Sequence, residues 1–307
     1  MRTIKKYCRP LWHILQMLYV AYYARKVRAD KFLRFAKPGH YYSPIPSELD
    51  VQRAACTRSE NADRTFTDLR LPSDSHESLW QELKALTHGS SHGSETAKRF
   101  EPNNSFYSGL DAYVCEAIIT KLKPRRIIEI GSGYSSALML DAVAEAGLAV
   151  DFTFVDPDPV RLKMLLRESD WKRSRIHTQI VQEVDRSLFE KLEENDILFI
   201  DSSHVSKCGS DVNYLLFEIL PLVQKGVWIH VHDIPWPFEY SAEWLADGRA
   251  WNEAYLVRAF LTNNDSYRIR FMNAWFMQAH PDKIREVGLP SAAQASSLWI
   301  QKTGSNG

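Results

Sequence analysis

At 307 residues, with 38 Lys plus Arg against 38 Asp plus Glu, the chain carries no net charge, which excludes a dominant electrostatic attraction to nucleic acid. Hydrophobic residues make up 45 %, enough for a sizeable core and against disorder as the default. Cys8, Cys56, Cys115 and Cys208 form no CxxC pair and no zinc-type spacing, so they read as free thiols of a reducing, cytoplasmic compartment.

In chain order, Lys5, Lys6 and Arg9 precede an apolar run over residues 11–24, and Arg25, Lys26 and Arg28 follow it. The run is shorter than the ~20 residues a spanning helix needs, and His13 and Gln16 interrupt it. No small-x-small site marks it as a signal peptide. It predicts a helix packed on the main domain or, by dimerisation through residues 1–35, on a second subunit. The alternative is an interfacial helix, peripheral to the anionic inner face of a membrane.

Residues 1–99 show no strand–helix alternation and read as an N-terminal helical and loop extension. Within it, Pro38-Gly39-His40-Tyr41-Tyr42-Ser43-Pro44-Ile45-Pro46 predicts an extended loop. Residues 76–88 predict a short helix with Leu79, Leu83 and Leu86 on one face, and residues 88–94 a boundary loop. His88 and His92 in that loop are assigned no metal.

The main domain spans 100–307. A helix over 111–122 carries Val114, Ile118, Ile119 and Leu122 at helical spacing. Strands follow at 126–130, 152–155, 176–181, 197–200 and 226–231, with helices around 135–146, 158–168, 186–193 and 211–223 between them. Near-continuous β-branched runs alternating with helices mean a parallel sheet covered on both faces, a Rossmann-like α/β fold. After Ile234 the rhythm breaks into a helix at 253–263, then Tyr267–Met272, Asn273–Ala279 and Ser297–Gln301. That ending suits a seven-stranded, mostly parallel sheet completed by a terminal antiparallel strand.

The first strand runs into Gly131-Ser132-Gly133, where the chain must turn sharply and a Cβ would block the turn or the approach of a ligand. Ser135-Ser136 opens the next helix, whose N-terminus favours a negative group such as a cofactor carboxylate. Two cofactor classes compete. A dinucleotide fingerprint needs a third glycine where Ser136 stands. S-adenosylmethionine sites carry an acid two residues before the first glycine, the place of Glu129, expected to hold the loop amides and favour a cationic cofactor. Asp156, closing the second strand, suits ribose hydroxyls in either class.

Four ordered segments, Glu129-Ile-Gly-Ser-Gly-Tyr-Ser-Ser136, Phe154-Val-Asp-Pro-Asp158, Ile200-Asp-Ser-Ser-His204 and His230-Val-His-Asp-Ile-Pro-Trp-Pro237, resemble class I S-adenosylmethionine-dependent methyltransferases, most closely the bacterial methyltransferase-domain family 24. The resemblance covers residues 100–280, and the 39–46 loop is also similar to that subgroup. It implies that Glu129, Gly131, Ser132, Gly133, Tyr134, Ser135 and Asp156 hold S-adenosyl-L-methionine, with Gln182, Glu183 and Val184 beside the adenine. Ser135 departs from the third glycine that many members carry.

Ligands of open α/β sheets sit beyond the carboxyl ends of the strands. There the chain places Asp201-Ser202-Ser203-His204 and His230-Val231-His232-Asp233. Methyl transfer to a hydroxyl needs a proton acceptor, and His204 is the first choice, His232 the second, with Asp201 and Asp233 orienting the imidazole or the acceptor. A divalent metal on the same acids is the rival device, although the acid-acid-asparagine spacing of metal-dependent relatives is not plain. Alternation along the strand is taken to turn His230 away from His232. Residues 235–240 and Trp244 could form an aromatic wall, and Trp251-Asn252-Glu253 could lend polar groups to the cleft. Tyr107 and Asp111 could close over the cofactor.

The expected activity is methyl transfer to an oxygen of a small molecule or glycan, with no nucleic-acid partner. An NAD(P)-dependent oxidoreductase and a non-catalytic membrane-associated scaffold are the alternatives.

Overall fold

In the sheet the strands run in the order β3-β2-β1-β4-β5-β7-β6, where β1 is Arg126–Ile130, β2 Asp151–Val155, β3 Ser174–His177, β4 Ile197–Ile200, β5 Trp228–Val231, β6 Tyr267–Met272 and β7 Leu298–Lys302. The computed structural model describes residues 17–26, 35–61, 66–69, 71, 73–87, 98–290 and 293–304. The boundary loop expected at 88–94 and most of the basic flanks of the N-terminal run lie outside them.

All pairings are parallel except those of β7, which runs antiparallel to both β5 and β6. All four residues of β4 and of β5 are buried, as a strand covered on both faces requires. The register matters for function. Ile130 pairs with Val155 and with Ile200, and Ile200 pairs with Val231. The residues that follow these four, Asp156, Gly131, Asp201 and His232, therefore come out side by side in one row at the carboxyl edge.

The third strand is Ser174–His177 rather than 176–181, because its partner β2 stops at Val155, opposite His177. Val181–Glu183 is a 3₁₀ turn instead. The helix expected at 211–223 is a four-residue α-turn, Asp211–Tyr214, continued by a π-helical Leu215–Ile219. Asn273–Ala279 is helical.

The chain divides into two compact units, Met1–Thr57 with Ala242–Ala250, and Arg58–Ser241 with Trp251–Gly307. Within the second unit, the helix Ser73–Thr87 has Trp80 and Leu83 fully buried in the core with Phe271 and Phe276. Arg99 adds a polar pin: its guanidinium bonds both oxygens of Asp170 at 2.6 and 2.7 Å and Asp141 at 2.7 Å.

In the other unit, residues 17–26 are helical, with Met17, Leu18, Tyr19, Val20, Tyr22 and Tyr23 exposed. Among the described residues no helix is long and apolar enough to cross a membrane. The proline-rich loop is not extended but closed on itself, Gly39 N–H donating to the Ile45 carbonyl at 3.0 Å and Ser43 N–H to that of His40 at 2.7 Å.

Candidate active site

The glycine turn is built by β1 and the helix Tyr134–Glu145 that follows it. Gly131 has φ +78°, and a Cβ there would stand 1.8 Å from the Asp201 carbonyl oxygen, so only glycine fits. Gly133 is less constrained, since a Cβ would meet the flexible Arg161 side chain.

Glu129 does not hold the loop amides as expected. It is fully buried, and its two carboxylate oxygens accept from the hydroxyls of Ser135 (2.6 Å) and Ser136. Ser136 in turn accepts the Gly133 N–H at 2.9 Å. Position 136 therefore caps the helix through its hydroxyl, a task that a third dinucleotide-type glycine could not perform. Burial, with Asp201 and Asp156 nearby and only partly offset by the two serines, pushes the Glu129 carboxyl up to about 8.

Asp156 receives the Ser132 N–H at 3.0 Å and the Asp158 N–H at 2.8 Å, one on each carboxylate oxygen. Each oxygen keeps a lone pair for a ligand hydroxyl. The Ser132 hydroxyl is buried without a hydrogen-bond partner among the described residues. An orphaned hydroxyl in a turn at a helix N-terminus, next to an aspartate row, fits a cofactor that carries a carboxylate and a ribose. Tyr134, Phe106 and Arg161 flank this turn: the Phe106 ring stacks on Tyr134 at 5.7 Å, and the Arg161 guanidinium lies 3.8 Å over Phe106. Glu183 and Val184 sit at the end of the 3₁₀ turn, Val184 buried.

Across the same row the four predicted chemical residues come together. His204 Nε2 lies 3.3 Å from Asp201 Oδ1 and 3.7 Å from Asp233 Oδ2, and His232 Nε2 lies 3.5 Å from Asp233 Oδ1. His204 and Asp233 both adopt left-handed backbone, φ 59° and 54°, uncommon for residues with side chains. Two further groups join the cluster: Glu253, one of the residues expected to lend polar groups to the cleft, and Ser296, which the sequence did not single out. Glu253 Oε2 lies 2.8 Å from His204 Nδ1, and the Ser296 hydroxyl donates to Asp233 Oδ1 at 2.9 Å.

With a carboxylate at each ring nitrogen, His204 is held as an imidazolium: burial would push its pKa down, but Asp201 and Glu253 hold it well above the ordinary value. Burial likewise opposes the charge on Asp201, and His232 and His204 more than offset it, leaving the acid below its usual range. His232 is also held up, burial being outweighed by Asp233, Asp201 and Asp111.

His230 corrects the alternation argument. Residues two apart on a strand share a face, and its ring lies 5.8 Å from that of His232 at an interplanar angle of 18°. It stacks on Phe199 at 3.7 Å and bonds the Ser297 hydroxyl at 2.9 Å. Burial and the neighbouring His232 keep it neutral, well below the ordinary histidine value.

Tyr107 and Asp111 do not cover the cofactor turn. Both are buried, and Asp111 accepts the backbone N–H groups of Ser296 and Ser297 and the Asn273 amide. Of the expected aromatic wall, Trp236, Phe238 and Tyr240 are likewise buried. Trp251 lies against His204, ring centroids 4.4 Å apart.

Asp201 and Asp233, the acids offered for a divalent metal, are turned onto His204, and no cluster of three His, Cys, Asp or Glu among the described residues has the arrangement of a metal site. A cavity of about 600 Å³ lies elsewhere, at the amino-terminal edge of β1–β3 between Arg99, Arg126, Phe152 and Ser174, and none of the predicted site residues lines it.

A doubly wound sheet with β7 reversed, a glycine turn after β1 and an acid after β2 defines a class I, S-adenosylmethionine-dependent methyltransferase domain. The sequence profile of the Methyltransferase domain family matches residues 128–234. An uncharacterized protein from Archaeoglobus fulgidus is 31 % identical over 175 residues, 52 % of this chain and 75 % of that protein. The chain belongs to this methyltransferase-domain family. Among solved structures it is similar to the O-methyltransferase TomG from Streptomyces achromogenes in complex with SAM (12 % identity, 83 % of this chain and 99 % of that one, TM-score 0.43). It is also similar to an O-methyltransferase from Bacillus cereus in complex with SAH (13 % identity, 82 % and 100 %, TM-score 0.41).

Proposed function

We propose that the chain transfers a methyl group from S-adenosylmethionine to an oxygen of a small molecule or glycan. The observation that carries this reading is the row Asp156, Gly131, Asp201 and His232, which puts a cofactor turn and a proton-handling cluster side by side on one sheet edge. The cofactor supplies an electrophilic methyl on a sulfonium. The chain's own residues bind, orient and move the proton.

Asp156 takes ribose hydroxyls, while the Ser132 hydroxyl and the N-terminus of the helix at Tyr134 take the cofactor carboxylate. Asp201, ionised and with a third of its side chain open, stands where the turn meets the cluster and attracts positive charge. A hydroxyl that accepts a methyl must lose its proton. His204 is poorly placed to take it, since both ring nitrogens already face carboxylates. His232 is better placed: Asp233 faces its Nε2, and its Nδ1 has no partner among the described residues. With the proton on Nε2, the lone pair on Nδ1 is free to act as base. The role assigned first to His204 thus passes to His232, and His204 serves as a fixed positive charge among acids.

Isothermal titration with S-adenosylhomocysteine tests the cofactor, and a screen of hydroxyl-bearing small molecules and glycans with labelled methyl tests the acceptor. Saturable binding with no response to NAD is expected. NAD binding in its place would overturn the reading.

A further inference from the structure

We infer that Glu253 is the positioning residue of the acid–imidazole cluster, fixing the His204 ring so that its Nε2–H is aimed at the gap between Asp201 and Asp233. This inference rests on the methyl-transfer reading and names a part of the same site that the motif residues do not include.

Glu253 opens the helix Glu253–Leu261 and is buried at 2 % exposure. A carboxylate so enclosed is stable only when paired and hydrogen-bonded. Its Oε2 holds His204 Nδ1 at 2.8 Å, and its Oε1 accepts from the Ser202 hydroxyl at 3.0 Å. The backbone repeats the connection, because the N–H groups of Asn252 and Glu253 both donate to the His204 carbonyl, at 3.1 and 3.2 Å. Two residues on, Asn252 and Ser206 exchange a pair of bonds, Ser206 N–H to Asn252 Oδ1 at 2.6 Å and Asn252 Nδ2 to the Ser206 carbonyl at 3.2 Å. The loop after β4 is thus laced to the start of this helix. The lacing holds His204 in its left-handed backbone conformation at φ 59°, which a free loop would leave.

The charges around the ring come from three elements. Asp201 follows β4, His232 and Asp233 follow β5, and Glu253 comes from the helix. Asp233 and Asp201 also face His232, and the His204 charge opposes protonation of that second imidazole. By keeping His204 protonated and in place, Glu253 offsets part of the pull that Asp233, Asp201 and Asp111 exert on the His232 proton.

The test is nitrogen-detected histidine NMR on the full chain, in the wild type and in Glu253→Gln, with S-adenosylhomocysteine titration of both. In the wild type both His204 ring nitrogens are expected to be protonated at pH 7, and in Glu253→Gln the Nδ1 proton is expected to be lost. S-adenosylhomocysteine affinity should stay within about twofold, since Glu253 lies outside the cofactor turn. Ser202→Ala removes the second bond to Glu253, together with the long 3.5 Å bond that the hydroxyl accepts from the His204 N–H, and serves as the milder variant should Glu253→Gln fail to fold. It should shift the His204 signals in the same direction by a smaller amount. An unchanged His204 pattern in a folded Glu253→Gln, or in Ser202→Ala if that is the variant that folds, would overturn the inference while leaving methyl transfer intact. Failure of the wild type to bind S-adenosylhomocysteine would instead overturn the methyl-transfer reading, and the catalytic meaning of Glu253 with it.

Discussion

The carbonyl oxygen of Asp201 stands 1.8 Å from where a side chain at Gly131 would begin. The cofactor turn and the chemical cluster are therefore in backbone contact, and neither can shift without the other. Gly131→Ala must displace the start of the loop after β4 or leave the left-handed conformation at φ +78°. Loss of S-adenosylhomocysteine binding by more than about a hundredfold, equivalent to roughly 2.7 kcal/mol, is expected by titration calorimetry. Gly133→Ala, which meets only the Arg161 side chain, should bind at least tenfold more tightly than Gly131→Ala.

Glu129 gives a pH signature in stability. Its carboxyl ionises near 8 in the folded chain, above the ordinary range of about 4.3 for the unfolded one. The folded state then binds more protons than the unfolded state between these values, so stability falls as pH rises through that window. Glu129→Gln keeps a hydrogen-bonding group beside Ser135 and Ser136 but cannot ionise. Urea melts from pH 5 to pH 9 should show a shallower decline for the variant, and parallel curves would refute the assignment.

The base is tested by a pH–rate profile on whichever hydroxyl acceptor the methyl screen returns. Asp233 holds the His232 proton on, so the rate is expected to rise with pH along a limb above the ordinary histidine value of about 6.5. In Asp233→Asn the limb should move to lower pH, because the charge that opposed deprotonation is gone. His232→Ala should reduce kcat by about a hundredfold or more, the typical contribution of a general base, with cofactor affinity little changed. A limb that stays in place in Asp233→Asn would argue for another base.

Arg99 makes a purely structural prediction. Its side chain and those of Asp141 and Asp170 are each at most 9 % exposed, and they pair with one another. Arg99→Met leaves two buried carboxylates without their cation, which costs about 3 kcal/mol or more. Burial disfavours the Asp170 charge, yet the Arg99 and Arg167 bonds hold the acid below its ordinary range. Its contribution is present above about 3.9 and is lost as pH falls through the folded-state value. Denaturant midpoints at pH 7 and pH 3 should therefore differ less in Asp170→Asn than in the wild type.

Much of the sheet was legible because β4 is a short, wholly apolar run between Asp196 and Asp201 and β5 is apolar apart from His230, and such runs have few other homes than a doubly covered sheet. The glycine turn after β1 and the acids after β2 and β4 announce themselves by following those strands directly, and Asp233 comes one residue after His232 at the end of β5. The third strand was misplaced because Ser174-Arg175-Ile176-His177 is a polar edge strand, while the apolar Ile180 and Val181 just beyond it belong to a turn. Glu253 was only hinted at, 49 residues after His204 on a helix whose sequence says nothing of what its first carboxylate faces. The grounds for proposing His232 rather than His204 as base could not be read either, since they depend on which nitrogens face which acids.

β7 lies between β5 and β6, and Ser296 and Ser297, just ahead of it, tie Asp111, Asp233 and His230 together. Without the segment from Ser296 onward, Asp233 lacks its hydroxyl donor, Asp111 lacks two amide donors and the flank of β5 is bare. The surroundings of Asp233 and His230 are therefore completed by a segment far along the chain from the glycine turn.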